Sequence, residues 1–273
     1  MAVDLDADTL ERIHHIELEL LIEIDRICQK NDIKYSLTGG TLLGAVRNGD
    51  FIPWDDDADI SMLRKEYVKF QKACAVDLDH SRFYFQDIEN THGYRWGYGK
   101  LRRKKSIFLR EHQGDMPYEQ GIFLDIFPRD GIPDNLIQRK IHDAACFCVR
   151  KMMWSQIGYK VEENIFIKGI YWLLSRISHK HLRMIYKGLI HFSNRAETRL
   201  LRALTFPLPH GVKGYDRKWY NEYTRIKLAG HDFMVEASYI DWLSREFGDY
   251  TKLPPPEKRK AHPVSKIEFP KDM

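Results

Sequence analysis

The sequence predicts an α+β fold: a core built on a mixed sheet over residues 1–134, with a helical appendage and closing segment over 135–273 packed on it. Three observations point there. Ile13, Ile16, Leu20, Ile24 and Ile27 recur at helical spacing, which makes Thr9–Lys30 an amphipathic helix. Short apolar runs at Ile33–Leu37, within residues 83–110 and at Gly121–Phe127 have the length of strands. From Asn135 to His191 the chain turns helical, aromatic and basic, with no repeat or low-complexity tract.

In chain order, Asp8 and Glu11 resemble a capping box ahead of the first helix. His14 and His15 on that helix have no acidic partner at ligand spacing and read as surface or packing residues. Thr38-Gly39-Gly40-Thr41 is a turn, and Leu42–Arg47 is a short helix closed by Asn48-Gly49 as a left-handed cap. A strand then carries Asp55, Asp57 and Asp59, with Ala58 and Ile60 on its other side, and Arg64–Ala75 is a helix packed behind it. Arg103-Lys104-Lys105 is a solvated turn, and Asp130 has the ordinary turn chemistry of Pro128-Arg129-Asp130-Gly131. Tyr239, Trp242, Leu243 and Phe247 share a helix face that stops at Gly248.

The chemistry concentrates in Tyr35–Met62. Side chains alternate along a strand, so Asp55, Asp57 and Asp59 line one face within about 14 Å. Like charges that close raise one another's pKa unless a cation neutralises them. Hard oxygen ligands favour Mg²⁺, Mn²⁺ or Ca²⁺ over zinc. A calcium loop is the rival reading, with Asp55, Asp57, Asp59 and Glu66 in its first, third, fifth and twelfth places. Ile60 stands where that loop needs glycine, and Pro53 disfavours an incoming helix. A glycine turn opening a helix offers free N–H groups to phosphate, so Gly39, Gly40 and Arg47 are phosphate-seating candidates. Thr41 and Trp54 complete the substrate-binding candidates of this stretch.

Two further places stand out. Alternation over Arg95–Arg102 puts Trp96, Tyr98, Lys100 and Arg102 on one strand face. Cations beside aromatic rings suit a nucleotide diphosphate that carries a quaternary ammonium group. A half-buried strand with solvated basic residues is the plainer alternative. Asp125 is the lone charge in the apolar run Gly121–Phe127. A buried carboxylate needs a cation, which makes Asp125 a third acidic site residue.

Strand, Gly-Gly turn, helix and Asp-x-Asp strand together form the active-site half of the nucleotidyltransferase fold shared with DNA polymerase β. The stretch Gly40–Ile60, GTLLGAVRNGDFIPWDDDADI, closely resembles the signature of the LicD family, whose relatives include fukutin-like proteins. The resemblance continues at Lys100-Leu101-Arg102, Gly121–Pro128, Gly248-Asp249-Tyr250, Leu253-Pro254-Pro255 and His262, and is weak over 135–205. It implies transfer of phosphocholine, or a related phospho-alcohol, from a CDP-activated donor such as CDP-choline to a sugar hydroxyl, with release of CMP. The implied acceptor is a lipid-linked or soluble precursor of a cell-surface glycan such as lipopolysaccharide or teichoic acid. Asp57, Asp59 and Asp125 would be catalytic, and with Asp55 they would hold Mg²⁺ or Mn²⁺. Asp249 and His262 would border the site or serve packing. Users of CDP-ribitol or CDP-glycerol, a nucleotide-adding enzyme acting on RNA or a small molecule, and a non-enzymatic calcium- or glycan-binding protein are the alternatives.

A formal charge of +4 over 273 residues is too mild to argue for nucleic acid, and none is expected as a partner. Cys28, Cys74, Cys146 and Cys148 have no zinc-site pattern and read as buried free thiols. The first residues are acidic, with no apolar core of a signal peptide. No apolar run approaches the roughly 20 residues that span a bilayer, so a cytoplasmic protein is expected. Ile165–Phe192 mixes apolar residues with Lys168, Arg176, Lys180, Arg183 and Lys187. It reads either as a peripheral contact with the inner membrane face or as an internal helical subdomain.

Overall fold

The computed structural model describes residues 3, 5–259 and 261–272. Helix α1 (Ala7–Lys30) buries the stripe predicted from its periodicity, from Ile13 to Ile27. Its N-cap is Asp6 rather than Asp8, the Asp6 carboxylate accepting from the Thr9 N–H at 2.9 Å. A cap residue must stand outside the helix, and Asp8 already lies within it. After β1 (Ser36–Leu37), helix α2 (Gly39–Asn48) ends on Gly49 at φ 69°, the left-handed cap expected there.

Strand β2 (Ala58–Leu63) begins later than the alternation of aspartates suggests. Asp59 lies in it, whereas Asp55 and Asp57 belong to the segment leading in. Helix α3 (Arg64–Asp77) follows directly, then β3 (Phe83–Gln86), β4 (Gly99–Arg103), β5 (Ile107–Arg110) and β6 (Phe123–Ile132). The main sheet runs β1–β2–β6–β4–β3, with β2 and β6 parallel and the other neighbours antiparallel, so it is mixed as expected.

Two residues read as turn chemistry are instead in strands. Asp130 lies in β6, fully buried, where Arg64 pairs with it at 2.6 Å and the Asn194 amide donates to it. Arg103 ends β4, is 2 % exposed, and pairs with Glu19 and Asp272. Both charges are tolerated inside because a partner from a distant part of the chain meets them.

Helices α4 (Leu136–Val161) and α6 (His179–Asn194) supply most of a second apolar cluster that includes Tyr94, Val149, Met153, Leu182 and Tyr186, and α5 (Ile165–Ser175) packs on α4. On α4, Cys146 is buried but Cys148 is exposed, because residues two apart on a helix face different ways. The chain then returns to the main sheet. Strand β7 (Leu200–Arg202) pairs with the end of β6, and β8 (Tyr215–Asp216) with β7. A hairpin of β9 (Tyr223–Leu228) and β10 (His231–Glu236), helix α7 (Tyr239–Phe247) and β11 (Val264–Glu268), which pairs with β5, close the fold. Leu201, Trp219, Phe233, Trp242 and Val264 join the core built on α1, so that core draws on both sides of residue 134.

Candidate active site

Strand register assembles the centre of the site. Pairing of β2 with β6 sets Asp59 beside Asp125, and pairing of β4 with β6 sets Lys100 opposite Asp125. Partners in register share a face, so the three side chains form one row across three strands. Lys100 and Asp125 make an ion pair, both side chains at least nine-tenths buried. The Lys100 ammonium also lies 3.3 Å from the centroid of the Phe123 ring. Burial pulls Lys100 down to about 8, against the pull of Asp125 in the other direction. Asp59 is pushed well up by burial and by the charges of Asp57, Asp125 and Asp55.

The Gly-Gly turn is built against these carboxylates. Gly39 has φ +59°, and a Cβ there would stand 2.6 Å from Asp59 Oδ2. A Cβ on Gly40 would overlap Asp55 Oδ2. Thr41 Oγ1 accepts from the Asp59 N–H at 2.7 Å, and the Thr38 N–H donates to the Asp59 carbonyl at 3.1 Å. The turn therefore mounts Asp59, and Thr41 does so through its side chain.

The segment before β2 is held by residues distant in sequence. His14 Nε2 donates to the Asp55 carbonyl at 2.8 Å, so α1 supports the segment and His14 is more than a surface residue. Asp55 is pushed up to about 7 by burial and by Asp57 and Asp56. Asp56 is buried and accepts from the His262 N–H at 2.9 Å. Arg110 forms ion pairs with Asp56 and Asp57, each at 3.0 Å. The sequence marks neither Asp56 nor Arg110: strand alternation sets Asp56 aside, and nothing local distinguishes Arg110. His262 does border the site, while Asp249 is exposed and bonded to Thr251 and Lys252.

A cleft of about 770 Å³ opens over the row, and Asp57, Asp59, Asp125, Lys100, Arg102 and Arg110 are among the residues that line it. Its lining also carries a connected run of aromatic rings. Trp154 of α4 meets Trp96 at 5.9 Å between centroids, Trp96 meets Tyr98 at 6.2 Å, and Tyr98 meets Phe127 at 4.8 Å. Phe206 continues the run, 5.1 Å from Phe127. Trp96 and Tyr98 precede β4 and reach the cleft from an irregular segment, so strand alternation is not what unites them with Lys100 and Arg102. Arg102 also donates to Gln86 at 2.7 Å and to the Gly121 carbonyl at 2.8 Å. Trp154 and Phe206 carry no local signal in the sequence. Arg47 and Trp54 are not among the residues that line the cleft. The Arg47 guanidinium lies 6.0 Å from the Trp54 ring centroid, and that of Arg259 lies 5.1 Å from it.

Residues 32–141 match a family model described as LicD/FKTN/FKRP, nucleotidyltransferase domain, and the match contains the Gly-Gly turn, Asp59, Lys100 and Asp125. That stretch of the chain is similar to the LicD family. A lipopolysaccharide cholinephosphotransferase LicD of Haemophilus influenzae is 28% identical over 267 residues, covering 94% of this chain and 96% of that protein. An uncharacterized protein of Rickettsia prowazekii is 41% identical over 117 residues, 43% of this chain and 40% of its own length.

The carboxylates of this chain suit a hard divalent cation by chemistry. Asp55, Asp57 and Asp59 are each raised by burial and by neighbouring carboxylates, which marks negative charge that the chain's own cations do not fully answer. Glu17 of α1 adds a buried carboxylate whose two oxygens have no hydrogen-bond partner among the described residues. Among the described residues no three His, Cys, Asp or Glu side chains converge at chelating distance as they stand. Arg110 holds Asp57 and Lys100 holds Asp125 in this arrangement.

Proposed function

We propose that this protein transfers phosphocholine, or a related phospho-alcohol, from a CDP-activated donor to a sugar hydroxyl of a cell-surface glycan precursor, on a core of the DNA polymerase β type. The observation that carries this reading is a single cleft lined by carboxylates, by cations and by a connected run of five aromatic rings. The relative from H. influenzae, matched over nearly its whole length, bears the name of a cholinephosphotransferase.

Asp57, Asp59 and Asp125, assisted by Asp55, would hold Mg²⁺ or Mn²⁺, which supplies charge neutralisation at the donor phosphates when bound. Lys100, Arg102 and Arg110 offer the phosphates charge-assisted hydrogen bonds from the lining of the same cleft. A trimethylammonium group has no N–H to donate, so aromatic faces such as Trp96, Tyr98 and Trp154 are the surfaces that attract it. Asp125 or Asp59 accepts the proton of the sugar hydroxyl as its oxygen attacks the choline-bearing phosphorus. The new O–P bond forms while the bond from that phosphorus to the bridging oxygen breaks, and CMP leaves.

The test is a screen of CDP-alcohols for divalent-dependent CMP release, with and without a glycan acceptor. CMP from CDP-choline is the expected result. Pyrophosphate from CTP would instead favour a nucleotide-adding enzyme, and no turnover with any CDP donor would overturn the reading.

Access to a lipid-linked acceptor has its own support. No described helix is long and apolar enough to cross a membrane. The stretch 165–192 divides: α6 buries Leu182, Tyr186 and Leu189, whereas α5 leaves Ile165, Phe166, Ile170, Trp172 and Leu173 exposed. Phe166, Ile170 and Leu173 lie on one stripe of α5, and the Arg176 guanidinium lies 4.8 Å from the Trp172 ring centroid. Arg183 and Lys187 both face Glu89, which reduces the positive charge α6 can offer. Adsorption of the outer face of α5 to the surface of an anionic bilayer would bring the enzyme to such an acceptor.

A further inference from the structure

Helix α1 directs one carboxylate into the protein interior. Glu17 falls within the stripe of Ile13, Ile16, Leu20 and Ile24 and is 1 % exposed. Neither of its oxygens has a hydrogen-bond partner among the described residues. Ionised, such a group lacks a counter-charge; protonated, its O–H lacks an acceptor; either state is unfavourable by several kcal/mol without a ligand.

The surroundings say which ligand is missing. One turn before Glu17, His14 donates to the Asp55 carbonyl, so this side of α1 runs along the acidic segment. Burial and the charges of Asp57, Asp55, Asp56 and Asp59 all push the Glu17 carboxyl up. The nearby cations are already engaged, Arg110 with Asp56 and Asp57 and Lys100 with Asp125. We propose that Glu17 is a further carboxylate of the divalent-cation site, reaching it from α1 to bind a hard ion of the Mg²⁺ or Mn²⁺ class together with Asp57 and Asp59. The inference rests on the cation reading under Proposed function and adds to it a residue outside the matched family domain. It also gives α1 a direct part in the site, where packing alone would have been served by leucine.

The experiment uses the full chain, stripped of metal by chelation, and follows Mn²⁺ binding by calorimetry and by electron paramagnetic resonance. Glu17→Gln keeps the size and removes the charge. Its Mn²⁺ dissociation constant should rise at least about tenfold, and the Mn²⁺-induced rise in Tm should shrink, while the metal-free Tm stays equal or increases. Asp59→Ala serves as the reference for a lost ligand. If Glu17→Gln does not fold, Glu17→Met, apolar and of similar length, is read by the same criteria. Wild-type Mn²⁺ affinity in a folded Glu17 variant, with affinity lost in Asp59→Ala, would overturn the role of Glu17 alone. Wild-type protein that binds no Mn²⁺ would overturn both this inference and the cation reading beneath it.

Discussion

Asp59 and Asp125 are register partners on adjacent parallel strands, side by side at the base of the cleft. The two carboxylates come from different strands and meet only because β2 and β6 pair in this register. With that geometry Asp59→Ala should abolish CMP release. The protein should stay folded, with a metal-free Tm at or above wild type, because a buried like-charge contact is relieved. Turnover retained in the folded variant would show that Asp59 is not part of the reaction centre.

The ion pair of Lys100 with Asp125 links activity to stability. Asp125→Asn should lower turnover at least about 10²-fold, the low end for losing a general base. It also strands a buried ammonium, for which breaking a buried pair suggests a loss of about 3–5 kcal/mol in chemical denaturation. The double variant Lys100→Met/Asp125→Asn should recover most of that stability and none of the activity. Near-normal kinetics of the single variant would reduce Asp125 to a structural residue.

Gly39 is constrained twice, by φ +59° and by Asp59 Oδ2 at 2.6 Å from a Cβ. Gly39→Ala should destabilise by at least about 1–2 kcal/mol for the left-handed backbone alone, and should displace Asp59 and impair turnover. Gly169→Ala is the control, since a Cβ on that residue of α5 meets nothing within 4 Å. The control should be neutral or stabilising. Equal behaviour of the two variants in melting and turnover would contradict the close fit of the turn.

A pH dependence of stability should trace to Glu236, away from the cleft. Burial pushes its carboxyl up to about 8 from the ordinary value of 4.5, while Arg129 opposes the rise. Ser36 bonds to it, and Tyr220 lies near enough to feel its charge. The folded state therefore holds a proton that the unfolded state has lost between those two values. Its contribution is complete below pH 4.5 and disappears as pH rises through about 8. Glu236→Gln should be more stable than wild type at pH 8 and should show a shallower loss of Tm across that window. An unchanged pH slope would assign it to other groups.

The outer face of α5 should govern adsorption to membranes. Vesicles containing anionic lipid should bind the wild-type protein at low salt, and Phe166→Ser with Ile170→Ser should weaken binding at least about tenfold, the equivalent of 1.4 kcal/mol. CMP release from a free donor should not change, because neither residue lines the cleft. Failure of the wild-type protein to bind such vesicles would leave acceptor delivery to a partner or to a soluble glycan.

The sequence by itself determined the parts that depend on local period and on residue type. The stripe of α1, the left-handed cap at Gly49, the lone charge of Asp125 and the Gly-Gly turn ahead of the aspartates are all legible within a few residues. A 3.6 or twofold period says which side of an element is apolar, and glycine marks where the backbone needs room. Periodicity does not say what stands opposite. The alternating aspartates were read as one strand face, yet β2 starts at Ala58 because a strand exists only where neighbouring backbone supplies a ladder, and β6 first meets it at Leu124. Asp130 and Arg103 read as turn residues until Arg64, Glu19 and Asp272 are brought to them. Glu17 did leave a signal, a charge inside an apolar stripe, but only the burial of both its oxygens without a partner among the described residues gave that signal meaning. The pairing of Asp59 with Asp125, the grip of Arg110 and His262 on Asp56, and the arrival of Trp154 and Phe206 in the aromatic run were decided by tertiary structure alone. They join segments tens to hundreds of residues apart, and register and packing between such segments are set by the whole core rather than by any one stretch.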